Sequence, residues 1–296
     1  MRYSFFRGCF IPIRFPHIEK VAEMTLPRLG VDLEPVEGFT CCPEPIGVTV
    51  NHPLAALVVS ARNLALAEGQ GHDIITLCNG CAYTLKQANE TLKVDGELRD
   101  RVNSILEEAG LRYRGTVEVH HFAPVLVERV GLGRVEAAVE RPLTGLKVAS
   151  HTGCHILSPP AVMGFDDPRD PVKLDQMMAA LGATPLDYAY KTQCCGWTLS
   201  NYGDRGDASK LLGDKLAAMH GAGADSVNVI CPQCLAQLDT GQMLAARSLR
   251  LGFRLPTLFY LQYLALAMGY SLEEAGCDRH RVRDPGFEEK LRRTLA

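Results

Sequence analysis

Ten cysteines stand in two sets of five with a shared layout, so any fold open to this chain must gather each set at one place. The first set is Cys9, the adjacent pair Cys41 and Cys42, and the C-x-x-C of Cys78 and Cys81. Cys154, the pair Cys194 and Cys195, and the C-x-x-C of Cys231 and Cys234 form the second. Thirty-five residues separate pair from C-x-x-C in both copies, and only the first gap differs, 31 residues against 39. A β-branched apolar run leads into each C-x-x-C, through Ile74 and Ile75 in one copy and Val227 to Ile230 in the other. The chain therefore reads as an internal duplication. Its 296 residues suffice for two domains, expected at 1–143 and 144–296, the second carrying a charged C-terminal tail.

Strand and helix signals alternate between these landmarks. In the first half strands are expected at 3–6, 31–36, 74–77 and 117–120, with helices at 17–29, 53–68, from Cys81 onward, and 96–110. Gly30 and the Gly69 to Gly71 segment supply helix stops. The second half repeats the order, with strands at 146–149, 184–188 and 227–230 and helices at 172–181, 210–220 and from Leu235. Such alternation implies an α/β fold: two similar domains, each with a mainly parallel sheet. Ligands of parallel sheets collect at the strand carboxyl ends, and the cysteine loops fall there. The extra residues of the second copy, 158–171, read equally as a lid or a surface insertion. The apolar window 255–270 reads as a buried or subunit-facing helix, too short for the ~20 residues of a membrane span. The tail 273–296 reads as peripheral.

The opening residues lack the apolar core of a secretory signal, so a cytoplasmic setting with reduced thiols is expected. A net charge of −3, from 31 basic and 34 acidic residues well mixed, offers no basic field for nucleic acid. Four thiolates, commonly two C-x-x-C pairs, complete a structural zinc site. Here each set has five, one pair adjacent. Neighbouring side chains in extended chain point to opposite sides and serve two metal atoms more readily than one. That favours a polynuclear iron–sulfur centre and leaves zinc at one site as the lesser alternative.

The layout resembles the B subunits of heterodisulfide reductases, a family with two cysteine-rich CCG domains, and the resemblance spans residues 1 to about 270. Cys194-Cys195-Gly196 matches the naming motif in full, whereas Pro43 follows Cys41-Cys42. The resemblance implies that each five-cysteine set holds a noncubane [4Fe-4S] cluster, with a disulfide cleaved or formed between the two. On this reading Cys9, Cys41, Cys42, Cys78 and Cys81 are ligands of one, and Cys154, Cys194, Cys195, Cys231 and Cys234 of the other. It also implies a ferredoxin-like iron–sulfur subunit and a flavoprotein as partners. A sulfur-oxidising relative acting on thiol, persulfide or protein-bound sulfur, and a non-catalytic electron-transfer subunit, remain alternatives.

Few other residues carry chemistry. His151 and His155 flank the Cys154 position, and His155 is the candidate proton donor, ahead of His151, His120 and His121. Trp197, Asn201 and Tyr202 are candidate pocket walls, and Cys277 stands outside both sets as a free thiol. Gly131 and Gly133 do not complete a dinucleotide fingerprint, and there is no ferredoxin-type cysteine run. Electrons must therefore come from, or go to, another protein.

Overall fold

The computed structural model describes residues 1–296. Two sheets of four parallel strands form the frame. In the first, β1 (Arg2–Phe6), β2 (Asp32–Pro35), β3 (Ile74–Thr76) and β4 (Val119–His121) stand in the order β2-β1-β3-β4. In the second, β5 (Lys147–His151), β6 (Thr184–Leu186), β7 (Ser226–Val229) and β8 (Thr257–Phe259) repeat that order as β6-β5-β7-β8. The central strands are buried along nearly their whole length, Ser4 and Ser226 included. Helices cover both faces of such sheets, so the strands show no inside-outside alternation.

Because all pairings are parallel, the carboxyl ends of β1, β3, β5 and β7 deliver Cys9, Cys78, Cys154 and Cys231 to common edges. The adjacent pairs follow β2 and β6 through longer loops.

The halves interleave. The helix Tyr260–Ala267, at the end of the second half, packs on the helix Pro16–Thr25 of the first. Backbone amides of Glu140 and Arg141 donate to the Ala267 carbonyl. From the other side, Val125, Glu128 and Arg129 of the π-helical turn Val125–Gly131 line one cavity with Met163 and Phe165, and Glu128 pairs with Lys173 at 2.8 Å. Phe122, just past β4, meets Phe259 at the end of β8 and Tyr260 at the corresponding place just past it. One continuous apolar core of 76 buried residues results.

Three expectations need correction. The window 255–270 opens with β8 before its helix, because Pro256 interrupts the backbone and Thr257–Phe259 pairs with β7. The tail is not peripheral: Ala275, His280, Val282, Phe287 and Leu291 are buried, and Lys290 bonds Asp225 at 2.6 Å. Its helix Pro285–Leu295 is amphipathic, with Arg and Glu outward and Phe287 and Leu291 inward. The insertion 158–171 is a brace rather than a free lid. Its short helix Pro160–Met163 packs on the helix Asn79–Val94 of the first half, and Asp166 ties the loop by accepting from the amides of Val172 and Lys173. No helix is long and apolar enough to cross a membrane.

Candidate metal centres

Each C-x-x-C is placed by a helix start. Cys78 and Cys231 are the N-caps of the helices Asn79–Val94 and Pro232–Ala236, so Cys81 and Cys234 occupy the third helical position. Unpaired amides at a helix N-terminus favour thiolate there. At Cys231 the nearby amides of Cys234 and Gln233 favour the thiolate. The lone cysteines are presented by glycines in the left-handed region, Gly8 at φ +66° and Gly153 at +82°. A Cβ at Gly8 would lie 3.0 Å from the Cys81 sulfur, and one at Gly153 2.7 Å from Asn79 Nδ2.

All five cysteines of the first set line one cavity, and all five of the second line another. Cys9 and Cys41 sulfurs are 3.7 Å apart, and Cys42 reaches both Cys41 and Cys81. In the second cavity Cys195 and Cys234 stand 3.5 Å apart, while Cys194 reaches Cys154 and Cys195. Cys78 and Cys231 lie within reach of each other, so the two cavities meet back to back. Each also borrows from the other half: Pro232 and Gln233 line the first, Asn79 lines the second, and Gln233 belongs to both. Asn79 Nδ2 donates to the Thr152 carbonyl at 2.8 Å and fixes this contact.

Crowding sets the acidities. Hydrogen bonds from Cys41 and then Cys81 bring the Cys42 thiol down to about 6, and those from Cys154 and then Cys195 bring Cys194 down to about 2. Their neighbours move the other way: Cys41 is pushed up to about 11, first by its bond to Cys42. Cys81 and Cys234 are held well above the ordinary thiol value by bonds to Cys42 and Cys195 respectively. Five sulfurs this close cannot all ionise unless a positive centre balances them. A polynuclear metal centre fits this donor set, since metal binding requires the thiolates and supplies that charge.

The remaining candidates separate cleanly. His155 lines the second cavity, stacks on Tyr83 with centroids 5.3 Å apart, and turns Nδ1 toward Gly80, which lines the first. His120 is held by Asp73 at 3.2 Å and Arg129 at 3.0 Å, and buried His121 by the Ile230 carbonyl at 3.1 Å. Neither lines a cysteine cavity. Trp197 walls the second cavity and meets Phe10 of the first half edge to face at 5.2 Å. Tyr202 lies over Gly47 in the loop after Cys42, and Asn201 merely bonds the Trp197 carbonyl. Cys277 is a free, largely buried thiol that burial pushes up to about 12. Sequence reasoning passed over Asn79 and Gln233, and it named His151 only as a proton donor ranked behind His155. His151 is buried, has no partner at either ring nitrogen, and has one of them within 4.8 Å of the Cys195 and Cys234 sulfurs. Burial brings it down to about 3, which keeps the ring neutral.

Two parallel sheets, each delivering one five-cysteine cavity, define a duplicated cysteine-rich domain protein. The CCG cysteine-rich domain family accordingly matches residues 3–86 and 148–239. Within that class the chain belongs to the family of heterodisulfide reductase B subunits. It is 37% identical, over 98% of its length and 97% of the relative's, to the B subunit of the ferredoxin/F(420)H(2)-dependent CoB-CoM heterodisulfide reductase of Methanosarcina acetivorans. It is 33% identical, over 95% and 97%, to the 8-methylmenaquinol:fumarate reductase membrane anchor subunit of Wolinella succinogenes. In fold it is similar to a hypothetical protein from Helicobacter pylori, at a TM-score of 0.75 and 16% identity, covering 96% of this chain and 52% of that one.

Proposed function

We propose that the chain is the catalytic iron–sulfur subunit of a heterodisulfide reductase-type complex, cleaving or forming a disulfide between two noncubane [4Fe-4S] clusters. The observation that carries this is the meeting of two five-cysteine cavities at Cys78 and Cys231, with His155 reaching toward both. When bound, the two clusters would supply one electron each, matching the two electrons a disulfide takes. Cys9, Cys41, Cys42, Cys78 and Cys81 would hold the first, and Cys154, Cys194, Cys195, Cys231 and Cys234 the second.

The chain's own residues do the rest. Phe10 and Trp197 wall the cleft where the halves meet and limit water access. His155, oriented by its stack on Tyr83, delivers a proton to a departing thiolate. Gln233, common to both cavities, can hydrogen-bond a substrate held between them. Electron delivery falls to a ferredoxin-like iron–sulfur subunit and a flavoprotein. Ile46, Val48 and Val50, exposed on the loop after Cys42, give such a partner an apolar foothold.

Metal analysis and iron spectroscopy of anaerobically purified protein test this reading, with about eight irons per chain expected. Zinc alone would overturn it. A second reading, an electron-transfer subunit without disulfide chemistry, is favoured by the similarity to the fumarate reductase subunit. Redox titration in the presence of added disulfide separates the two. Only the catalytic subunit consumes disulfide in proportion to the electrons supplied.

A further inference from the structure

The two cysteine cavities are related by duplication, yet their surroundings differ in a way that bears on electron affinity. His151 stands three residues before Cys154, at the end of β5. Three residues before Cys9, at the end of β1, the same place holds Phe6, fully buried and packed edge to face on Phe39 at 5.0 Å. The first cavity thus has an apolar ring where the second has an imidazole.

That imidazole is idle within the protein. Neither nitrogen has a hydrogen-bond partner, although only 2% of the residue is exposed. The nearby Lys191 carbonyl makes no bond of proper geometry to it and already accepts from Lys215 Nζ at 3.2 Å. A neutral imidazole buried with its N–H unpaired costs about 1–3 kcal/mol, so a missing acceptor is implied. Among the ligating side chains, the Cys195 and Cys234 sulfurs lie within 4.8 Å of one ring nitrogen.

Lys215 adds to the difference. It is completely buried, anchored by Nζ to the Tyr190 carbonyl at 2.5 Å, and near enough to Cys195, Cys234 and Cys194 to interact with their charge. The 153-residue offset relating Cys42 to Cys195 and Cys78 to Cys231 relates Arg62 to Lys215. Arg62 bonds the Gly38 carbonyl at 2.7 Å on the exposed surface, where water screens its charge.

We propose that His151 and Lys215 make the second five-cysteine centre the more readily reduced of the two, His151 by donating its ring N–H to the Cys195 or Cys234 sulfur. Both act as positioning and tuning groups. Hydrogen bonds to cluster sulfur and a buried cation favour the more electron-rich state and raise its reduction potential. An electron shared between the centres then rests on the second.

This inference rests on the reading that the cysteines hold iron–sulfur centres. The experiment is a mediated redox titration of the anaerobic, iron-loaded chain, followed by electron paramagnetic resonance. Cys42→Ser, which removes a ligand of the first centre, assigns the remaining signal to the second. In the wild type the second centre should have the higher midpoint. His151→Phe, which copies Phe6, should lower that midpoint by at least a tenfold change in its equilibrium, about 59 mV for one electron. The first midpoint should stay where it is, and His151→Gln, which keeps an N–H donor, should recover part of the loss. Pulsed resonance on the wild type should show, beyond the peptide nitrogens that both helix N-termini bring, a weakly coupled imidazole nitrogen at the second signal and none at the first. That measurement needs no variant to fold. A second midpoint equal to or below the first, an unmoved midpoint in His151→Phe, or a strongly coupled nitrogen bonded directly to iron would each overturn the proposal while leaving the iron–sulfur reading standing. Absence of iron would overturn both.

Discussion

Asn79 and Gly153 form a contact between the halves whose energetics can be worked out in advance. Asn79 Nδ2 donates to the Thr152 carbonyl at 2.8 Å in a site only 1% exposed. Asn79→Ala leaves that carbonyl buried without a partner, which costs about 1–3 kcal/mol. Gly153→Ala carries two penalties. At φ +82° an alanine is strained by roughly 1–2 kcal/mol. Its Cβ would also sit 2.7 Å from Nδ2, which displaces the amide and loses the same hydrogen bond, another 1–3 kcal/mol or so. The single variants should therefore cost about 1–3 and 2–5 kcal/mol. In the double variant the collision is gone and the bond is lost only once, so its cost should match Gly153→Ala alone, a coupling of about 1–3 kcal/mol. Urea unfolding of the anaerobic protein, followed by circular dichroism, measures all three. Additivity of the two single effects within about 0.5 kcal/mol would refute the claim that Gly153 is small in order to admit Asn79.

Cys42→Ser and Cys195→Ser should each abolish steady-state disulfide reduction while removing only their own resonance signal, because the oxygen is a poorer ligand and the cavities do not share cysteines. Near wild-type turnover by Cys42→Ser would rule out two-centre chemistry. Leu291→Ala should cost about 2–5 kcal/mol by leaving a hole under the tail, readable as a lower denaturation midpoint. A change under 0.5 kcal/mol or so would return the tail to the periphery. Burial brings His17 down to about 4 and His280 to about 3 from an ordinary 6.5. Their folded values are depressed, so the stability they confer is present above pH 6.5 and is lost as pH falls toward 4, by up to about 1.4 kcal/mol per unit for each ring. The double variant His17→Gln, His280→Gln should show a flatter acid limb in pH-dependent unfolding, and an unchanged slope would contradict this.

Much of this was legible in the sequence. Cysteine spacing and β-branched runs located seven of the eight strands within two residues of their observed bounds, and parallel topology placed every cysteine loop at a strand carboxyl end. β8 escaped because the region around Thr257–Phe259 is buried on all sides, so neither period shows, and the following leucines read as helix. The tail misled through composition. Its charges are real, but Phe287 and Leu291, four residues apart on one helix face, dock on the second half. His155 was found from its neighbour Cys154, whereas Asn79 and Gln233 work across the interface, which a linear sequence does not display. His151 was visible near Cys154, and aligning the repeats on Cys9 and Cys154 sets it against Phe6.

The borrowed walls of the cavities impose an order on manufacture. The first cavity is lined in part by Pro232 and Gln233, which follow Cys81 by about 150 residues, and the helix Pro16–Thr25 packs against Tyr260–Ala267. A ribosome adding roughly 5–20 residues per second therefore exposes Cys9, Cys41, Cys42, Cys78 and Cys81 for several seconds, gathered but unenclosed. Iron loaded during that interval would sit in an open basin without its lining. A complete lining for the first basin therefore exists only once residues of both halves have been made.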